Sequence, residues 1–484
     1  MRREAKAVRY RRFEQRVRSV ARTPMLTALA AVAAQVSTRR LTVGTVRPVH
    51  VQEFTLAGIA RTCLAASNEY RHGTLTERLL NELCHDYINI SDPNIEAGTA
   101  SLDEIMRPII YEQFLVQYSP KENLARSYAL YVSHMAGLPN APSQADWVDV
   151  LGVDVARYLR IGFGLHAAFM QNRGTITWTT LGAKHVAPLW RPLAIHEFRA
   201  LVERQLASPI DEAAERARNA EAPGREKWSF NPLQDRPIVL VGDEELVCPA
   251  PHFLLDKISA AGLYYTGLDL FGSRFTDALG IAYERYVGTQ LGLLSGATLY
   301  PEIHYDKGQR KSCDYIVVMD EVVLLVEVKV TRPLIAYRTG GDPEPTLARM
   351  RSARDQIVET ARLIRERDPA FAHIPADIPR LGLIATLEPY FLTQSTLEHG
   401  TLTSSELTIT SAWAHEVENV MAYLAVQPSP ASLLLRHWQA NAAGSDEPIT
   451  AIIGSDEPAR NPIVDAAFDA ALDLSELGPD WQED

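Results

Sequence analysis

The spacing of apolar and polar residues predicts a chain with two kinds of secondary structure. From residue 50 to about residue 205, apolar residues recur three and four positions apart, as in LTERLLNELCHDYINI (75–90) and SLDEIMRPIIYEQFLVQYS (101–119). This spacing gives a helix one buried face. Between residues 297 and 330 the pattern changes to short apolar runs rich in β-branched residues, namely ATLYPEIHY, SCDYIVVM and VVLLVEVKV. These runs predict three strands.

Amphipathic segments flank the predicted strands on both sides. SRFTDALGIAYERYVGTQLGLL (273–294) precedes them, and TLARMRSARDQIVETARLIRER (346–367) follows them, both with helical spacing. PRLGLIATLE (379–388) then predicts a further strand. The order over residues 272–390 is therefore α-β-β-β-α-β. We expect an α+β, multi-domain protein in which a mainly helical N-terminal domain precedes this unit.

Composition and charge indicate where the domains begin and end. A chain of 484 residues is long enough for two or three domains. Nine Lys and Arg stand against two Glu in residues 1–23, and eleven Asp and Glu stand against one Arg in residues 443–484. ASPIDEAAERARNAEAPGREK has no clear apolar stripe, which is typical of a linker or an exposed helix. We therefore expect five segments: a basic N-terminal segment 1–48, a helical domain 49–206, a linker 207–228, a domain 229–442 that contains the α-β-β-β-α-β unit, and a flexible acidic tail 443–484 with a short helix near VDAAFDAALDLSEL.

Two shorter segments predict local structure and location. RPIVLVGDEELVCPAPHFLLDKI indicates a hairpin at Gly242-Asp243 followed by a helix. TPMLTALAAVAAQVS (24–38) has an apolar run too short for a membrane span, and the basic region before it is too long for a signal peptide. It therefore predicts a helix of a cytoplasmic protein that has no membrane partner. Four scattered cysteines without a CxxC pair fit a reducing compartment.

Two charged residues interrupt the apolar run 322–330. Glu327 and Lys329 stand two apart on one predicted strand, so they project from the same face about 6.5–7 Å apart. A turn centred on Asp320-Glu321 would place Asp314 of the preceding strand directly opposite Glu327, with Cβ atoms about 5 Å apart. Two carboxylates this close in an apolar sheet repel each other, and either a proton on one of them or a divalent cation between them relieves the repulsion.

The lysine on the same face favours the cation, because an ammonium can orient water or stabilise charge on a phosphate. The alternative is an ion pair between Glu327 and Lys329 that protects an edge strand from aggregation. The apolar residues on both sides of the pair favour a central strand over an edge strand.

These residues resemble a known family. Asp314, followed after twelve residues by Glu327-Val328-Lys329, resembles the PD-(D/E)XK nuclease superfamily, whose restriction-endonuclease-like fold has the same α-β-β-β-α-β core order. GIAYERYV (280–287) is similar to the GxxFExxV helix of that family, with Tyr in place of Phe. The resemblance covers residues 272–390, and a cysteine occupies the position of the signature proline.

The resemblance implies a metal-dependent nuclease, a hydrolase that cleaves phosphodiester bonds of nucleic acid, with DNA favoured over RNA. Asp314, Glu327 and the carbonyl of Val328 would bind Mg²⁺ or Mn²⁺. Lys329 would position or activate water and stabilise the transition state. The other catalytic positions that the family suggests are Glu284, as the extra acid of the helix before the strands, and Gln356, where many members carry a glutamine. By analogy alone, such a protein would act in bacterial defence or DNA repair.

Basic residues offer contacts to a nucleic-acid backbone. Four arginines of the later helix fall within an arc of about 80° at 100° per residue: Arg351, Arg354, Arg362 and Arg365. They could contact phosphates, or they could form a solvated face balanced by Glu359 and Glu366. Lys311, between the first two predicted strands, is open to the same two interpretations.

Two other functions remain open from the sequence. The chain could be a non-catalytic nucleic-acid-binding or assembly protein that keeps the nuclease fold as a scaffold. It could also be an interaction protein whose acidic tail binds a basic partner. In every case the helical N-terminal domain is expected to recognise the substrate, to bind a protein partner or to mediate self-association.

Overall fold

The computed structural model describes most of the chain. The described residues are 8–41, 51–91, 102–113, 119–183, 186, 190–191, 193–330, 332–390, 407–445, 447–457 and 459–473. The predicted basic segment and the predicted acidic tail therefore lie partly outside the described residues.

The N-terminal part is helical, as the apolar spacing predicts. Its described α-helices are Tyr10–Val17, Arg22–Leu41, Glu53–Ala66, Glu77–Ile88, Leu102–Gln113, Pro120–Tyr128, Gln144–Leu151, Val155–Gln171, Trp178–Leu181 and Ile195–Gln205. Short polar side chains begin several of them. The side chains of Thr76, Ser143 and Asp154 each accept a hydrogen bond from a backbone N–H of the first turn.

The helix Arg22–Leu41 contains the segment that follows the basic N-terminus. Met25, Leu26 and Leu29 are fully buried in a core shared with the helix Glu53–Ala66. The predicted helix is confirmed. Among the described residues, no helix has the length and apolar character needed to cross a bilayer.

A four-stranded mixed sheet follows the N-terminal helices. Its strands lie in the order β1 (Thr175–Thr177), β4 (Glu245–Val247), β3 (Ile238–Val241), β2 (Ala207–Pro209), and β3 pairs antiparallel with β4. The turn between β3 and β4 contains Gly242 at φ 62°, a conformation that glycine adopts without strain. The predicted hairpin is confirmed, and the helix His252–Ile258 follows it as predicted.

The segment predicted as a linker is ordered and packed. Residues 207–209 form β2, and Ile210–Asn219 is a helix. Ala213 and Ala217 are buried in the core of the N-terminal helices, together with residues of the β3–β4 hairpin. Small side chains let this helix approach its neighbours closely, so the absence of large apolar residues concealed a buried face.

Strands between residues 298 and 413 form a five-stranded sheet. Its order is β11 (Ile409–Trp413), β10 (Arg380–Thr386), β9 (Val323–Lys329), β8 (Tyr315–Val318), β5 (Thr298–Pro301). The strands β5, β8 and β9 pair antiparallel, whereas β9, β10 and β11 run parallel. The first predicted strand ends early, because residues after β5 turn into a separate two-stranded sheet of β6 (His304–Tyr305) and β7 (Arg310–Lys311).

Helices cover both faces of this sheet. The helices before it are Ala260–Phe271 and Ser273–Leu291, and the later ones are Ile335–Arg338, Glu344–Arg365, Ala414–Ala425 and Pro430–Ala442. Leu324 and Val326 share a core with Ser273–Leu291, whereas Val323 and Leu325 share a different core with Glu344–Arg365. Alternate residues of β9 therefore face opposite layers. The mixed α and β architecture is confirmed. The predicted α-β-β-β-α-β order is present in the main sheet and its two long helices, with β6, β7 and the short helix Ile335–Arg338 added to it.

The described part of the acidic tail packs onto the molecule instead of extending from it. Residues 449–452 form a short 3₁₀ turn and Pro462–Ala471 is a helix, as its apolar spacing predicts. Ile449, Ile453 and Ala471 are buried in the main core, and Val464 is also buried. The prediction of a flexible tail is therefore wrong over residues 447–457 and 459–473, because these apolar side chains outweigh the surrounding charge.

Candidate functional site

The β8–β9 hairpin brings Asp314 and Glu327 opposite each other. Tyr315 pairs with Val326 and Val318 pairs with Val323 in the antiparallel ladder. Continuing this register by one residue places Asp314 across from Glu327. The N–H of Val328 donates to Oδ2 of Asp314 at 2.7 Å, so the Asp314 side chain reaches across to β9. The register predicted from the position of the turn is confirmed.

Glu327 is a buried carboxyl group with one oxygen unpartnered. Its exposed fraction is 1%, and β9 lies in the centre of the sheet between β8 and β10. Oε1 pairs with Nζ of Lys329, while Oε2 is buried without a hydrogen-bond partner among the described residues. Burial and the nearby carboxylate of Asp314 raise the pKa of Glu327 to about 8, although Lys329 opposes this shift. The interpretation as an edge-strand ion pair is wrong, because β9 is not an edge strand.

Asp314 is half-buried beside Glu327. Burial raises the pKa of its carboxyl, and the Val328 N–H and the Lys329 ammonium act in the opposite direction. Lys329 is partly exposed, with 27% of its side chain accessible, so its ammonium lies where the buried pair meets the surface. The arrangement is two carboxyl groups and one cation at the end of a hairpin.

Glu284 approaches from the helix Ser273–Leu291. Its neighbour Tyr283 is fully buried, whereas Glu284 is half-buried at the margin of the helix. Burial, followed by the charges of Asp314 and Glu302, raises the pKa of Glu284 to about 7. Glu284 therefore lies within electrostatic reach of Asp314, as the family resemblance suggests.

The three carboxyl groups do not converge on one point. In the part of the chain that the structure describes, no group of three His, Cys, Asp or Glu side chains is arranged to hold a metal ion. Strand alternation separates two of them: Glu327 alternates with Val323 and Leu325 and so faces Glu344–Arg365, while Glu284 belongs to the helix on the opposite face of the sheet.

Gln356 contacts the chain just before Asp314 instead of the carboxyl groups. Its Nε2 donates to the carbonyl of Ser312 at 2.8 Å. One turn later, Oγ1 of Thr360 accepts from the N–H of Cys313 at 2.9 Å. Two side chains of the helix Glu344–Arg365 thus hold the backbone that leads into Asp314. The geometry gives Gln356 a supporting contact to the site.

Four of the five basic residues predicted to contact nucleic acid pair with acidic side chains. Arg351 pairs with Glu344, Arg354 with Asp355, Arg362 with Glu359 and Glu366, and Lys311 with Glu302. Arg365 lies in the last turn of the same helix. Much of the positive charge of this stripe is therefore balanced locally, which weakens its attraction for phosphates.

Sequence reasoning missed two residues beside the site. Oε1 of Glu302 lies 2.8 Å from Nζ of Lys311 and 3.2 Å from Nε2 of His304, and its charge raises the pKa of both Glu284 and Asp314. The hydroxyl of Tyr315 donates to the backbone carbonyl of Glu284 at 3.0 Å. Glu302 follows β5 directly, and its spacing from Asp314 and Glu284 matches no motif that would mark it. Tyr315 is adjacent to Asp314, but no sequence pattern indicates that its hydroxyl contacts the helix Ser273–Leu291.

Comparisons with known proteins do not add a relative. No family model, no curated protein and no solved structure matches this chain. The geometry of the hairpin and its neighbours therefore carries the functional argument.

Proposed function

We propose that this chain is a metal-dependent nuclease that hydrolyses phosphodiester bonds of nucleic acid, with DNA favoured over RNA. The observation that carries the proposal is the buried carboxyl of Glu327, with an unpartnered oxygen, opposite Asp314 and next to Lys329. A buried charge without compensation costs several kcal/mol. A central strand that only had to fill a core would be more stable with apolar residues at these positions.

The residues at the hairpin fit a divalent cation of the Mg²⁺ class. Asp314 and Glu327 supply hard oxygen ligands, and the carbonyl of Val328 leaves the strand on the same side as the N–H that donates to Asp314. Mg²⁺ typically uses one or two carboxylates and fills its other positions with water and substrate phosphate. Two carboxylates and a carbonyl are therefore sufficient, and Glu284 would add charge from beside Asp314. When bound, the ion would polarise the phosphate and lower the pKa of a water ligand.

The other side chains would hold and balance this site. Lys329, partly exposed and two residues from Glu327, would position the attacking water or stabilise negative charge that develops on the phosphate. Gln356 and Thr360 would keep Asp314 in place through the backbone of Ser312 and Cys313. A role in bacterial defence or DNA repair stays a prediction. The same holds for recognition of the substrate or of a partner by the helical N-terminal part.

The direct test is cleavage of plasmid DNA, single-stranded DNA and RNA with Mg²⁺ or with EDTA. We expect wild type to cleave DNA only with the metal, and Glu327→Ala and Lys329→Ala to lose at least a hundredfold in rate. Asp320→Ala, in the exposed turn of the same hairpin, is the matched control and should cleave as wild type does. Equal cleavage in all four proteins would contradict the proposal.

One observation favours the alternative of a nucleic-acid-binding or assembly protein without catalysis. No three-residue metal group is present among the described residues. Binding of DNA that is unaffected by EDTA and never followed by cleavage would support that alternative. Gel-shift measurements on the same four proteins distinguish the two functions.

A further inference from the structure

Tyr315 joins the strand that carries Asp314 to the helix that carries Glu284. Its hydroxyl donates to the carbonyl oxygen of Glu284 at 3.0 Å. A phenol hydroxyl carries its proton at neutral pH, so it can act as the donor in this contact. Tyr315 packs against the core that contains buried residues of the helix Ser273–Leu291, so its ring lies on the helix side of the sheet.

Gly288 provides the space for this contact. It lies one helical turn after Glu284 and is buried. A Cβ at this position would overlap the hydroxyl and Cζ of Tyr315. Any larger residue would therefore push the phenol ring away from the helix backbone. Gly288 has an ordinary helical conformation, so its small size, and not its backbone freedom, accounts for its place here.

We propose that Tyr315, in the space left by Gly288, is a positioning residue that fixes Glu284 beside Asp314. The hydrogen bond joins the backbone of Glu284 to the side chain of Tyr315, the residue after Asp314. The charged groups around Glu284 are Asp314 and Glu302, which repel it, and Lys311 and Arg285, which attract it. Repulsion would move a free Glu284 side chain away from Asp314, and the bond from Tyr315 holds its helical turn in place.

The consequence for the site rests on the proposed function. A negative charge held near Asp314 increases the attraction of the pair Asp314 and Glu327 for a divalent cation. Partners that orient a metal site without touching the metal change its affinity by tenfold or more when they are removed. Tyr315 is such a partner, because it would not touch the metal and would act on the site through Glu284.

The experiment compares Tyr315→Phe and Gly288→Ala with a chemically matched control. Tyr131→Phe is the control, because it also removes a tyrosine hydroxyl that donates to a backbone carbonyl, that of Ala260 at 2.6 Å. Mn²⁺ binding to the full chain is measured by titration calorimetry. We expect the dissociation constant for Mn²⁺ to rise roughly tenfold in Tyr315→Phe and Gly288→Ala and to stay unchanged in Tyr131→Phe. In cleavage assays kcat should fall while KM for DNA stays constant.

Two results would overturn the inference. One is Mn²⁺ binding by Tyr315→Phe that is as tight as in wild type. The other is a crystal structure of Tyr315→Phe in which the Glu284 carboxylate keeps its wild-type position. The crystal structure decides the inference even if wild type neither binds Mn²⁺ nor cleaves DNA, because such inactivity would remove the proposed function alone. A Glu284 side chain displaced from Asp314 would support the positioning role.

Discussion

The carboxyl group of Glu327 lies among apolar strands, with Val326 and Val328 beside it and Ile384 of β10 paired with it in register. Its folded pKa of about 8 stands well above its ordinary value of 4.5. The folded protein therefore holds a proton that the unfolded chain releases over this interval. Stability that is present at low pH is lost as the pH rises from about 4.5 toward 8.

Replacing Glu327 by Gln should flatten this pH dependence. The amide cannot ionise, so the metal-free variant should become more stable than metal-free wild type as the pH rises, by on the order of a few kcal/mol at pH 8. Thermal or urea unfolding with EDTA between pH 5 and pH 8 measures the difference. Asp314 and Glu284 are present in both proteins, so the difference between the curves reports Glu327 together with its coupling to Asp314. Parallel curves of stability against pH for the two proteins would contradict the assignment of the raised pKa to Glu327.

At the scale of secondary structure, the helix Glu344–Arg365 supports the strand that carries Asp314. Its buried residues Met350, Ala353 and Ile357 pack under the sheet, and Gln356 and Thr360 hydrogen bond to the backbone before Asp314. An irregular segment that enters an antiparallel strand needs partners for its own N–H and C=O groups. This helix supplies two of them.

Thr360→Val tests the support from the helix. Valine keeps the shape of threonine but leaves the buried N–H of Cys313 without an acceptor, which should cost about 1–2 kcal/mol in the free energy of unfolding. Cleavage should also slow, because Asp314 loses part of its support. Urea denaturation and initial rates measure the two effects. The control Thr289→Val, at an exposed threonine that hydrogen bonds within its own helix, should change stability by less than about 0.5 kcal/mol.

At the scale of the whole molecule, a buried ion pair joins distant segments. Arg126 donates two hydrogen bonds to Glu418, each at 2.6 Å, and the hydroxyl of Tyr286 donates to the same carboxylate at 2.6 Å. Asn461 donates to the side chain of Gln290 and to the carbonyl of Glu418. The helix that carries Glu284, the helix after β11 and the start of the last helix therefore meet in one polar network within the apolar core.

Two truncations of the tail, one with and one without the packed helix Pro462–Ala471, should differ in stability. Removing residues 462–484 deletes a helix whose Asp465 pairs with Lys121 and whose Phe468 ring lies 5.4 Å from the same ammonium, so we expect a loss of about 2–4 kcal/mol in stability. Removing residues 474–484 should leave both the unfolding midpoint and cleavage unchanged. Loss of binding to a basic partner in the shorter truncation, without loss of stability, would favour the interaction protein whose acidic tail binds that partner, whereas intact cleavage agrees with the nuclease. Urea unfolding and the plasmid assay on both truncations provide these results.

Local patterns predicted much of the fold and the centre of the site. The helix Ser273–Leu291, the hairpin β8–β9 and the helix Glu344–Arg365 follow from apolar spacing, because each buries a continuous face. The register of Asp314 against Glu327 follows from the position of one tight turn. The linker and the tail were misjudged, because burial of alanines and of isolated apolar residues depends on neighbours far away in the chain.

The sequence by itself determined which hairpin carries the acidic pair and which residue faces Glu327, since a short hairpin has one register that keeps its apolar faces buried. Only the tertiary structure decided how Glu284, Glu302 and Tyr315 relate to that pair, because the helix–sheet packing that places them depends on side-chain volumes at contacts such as Gly288 with Tyr315. Such contacts join residues that no local pattern connects. The chemistry of the hairpin was therefore visible in the sequence, and the arrangement that supports it was not.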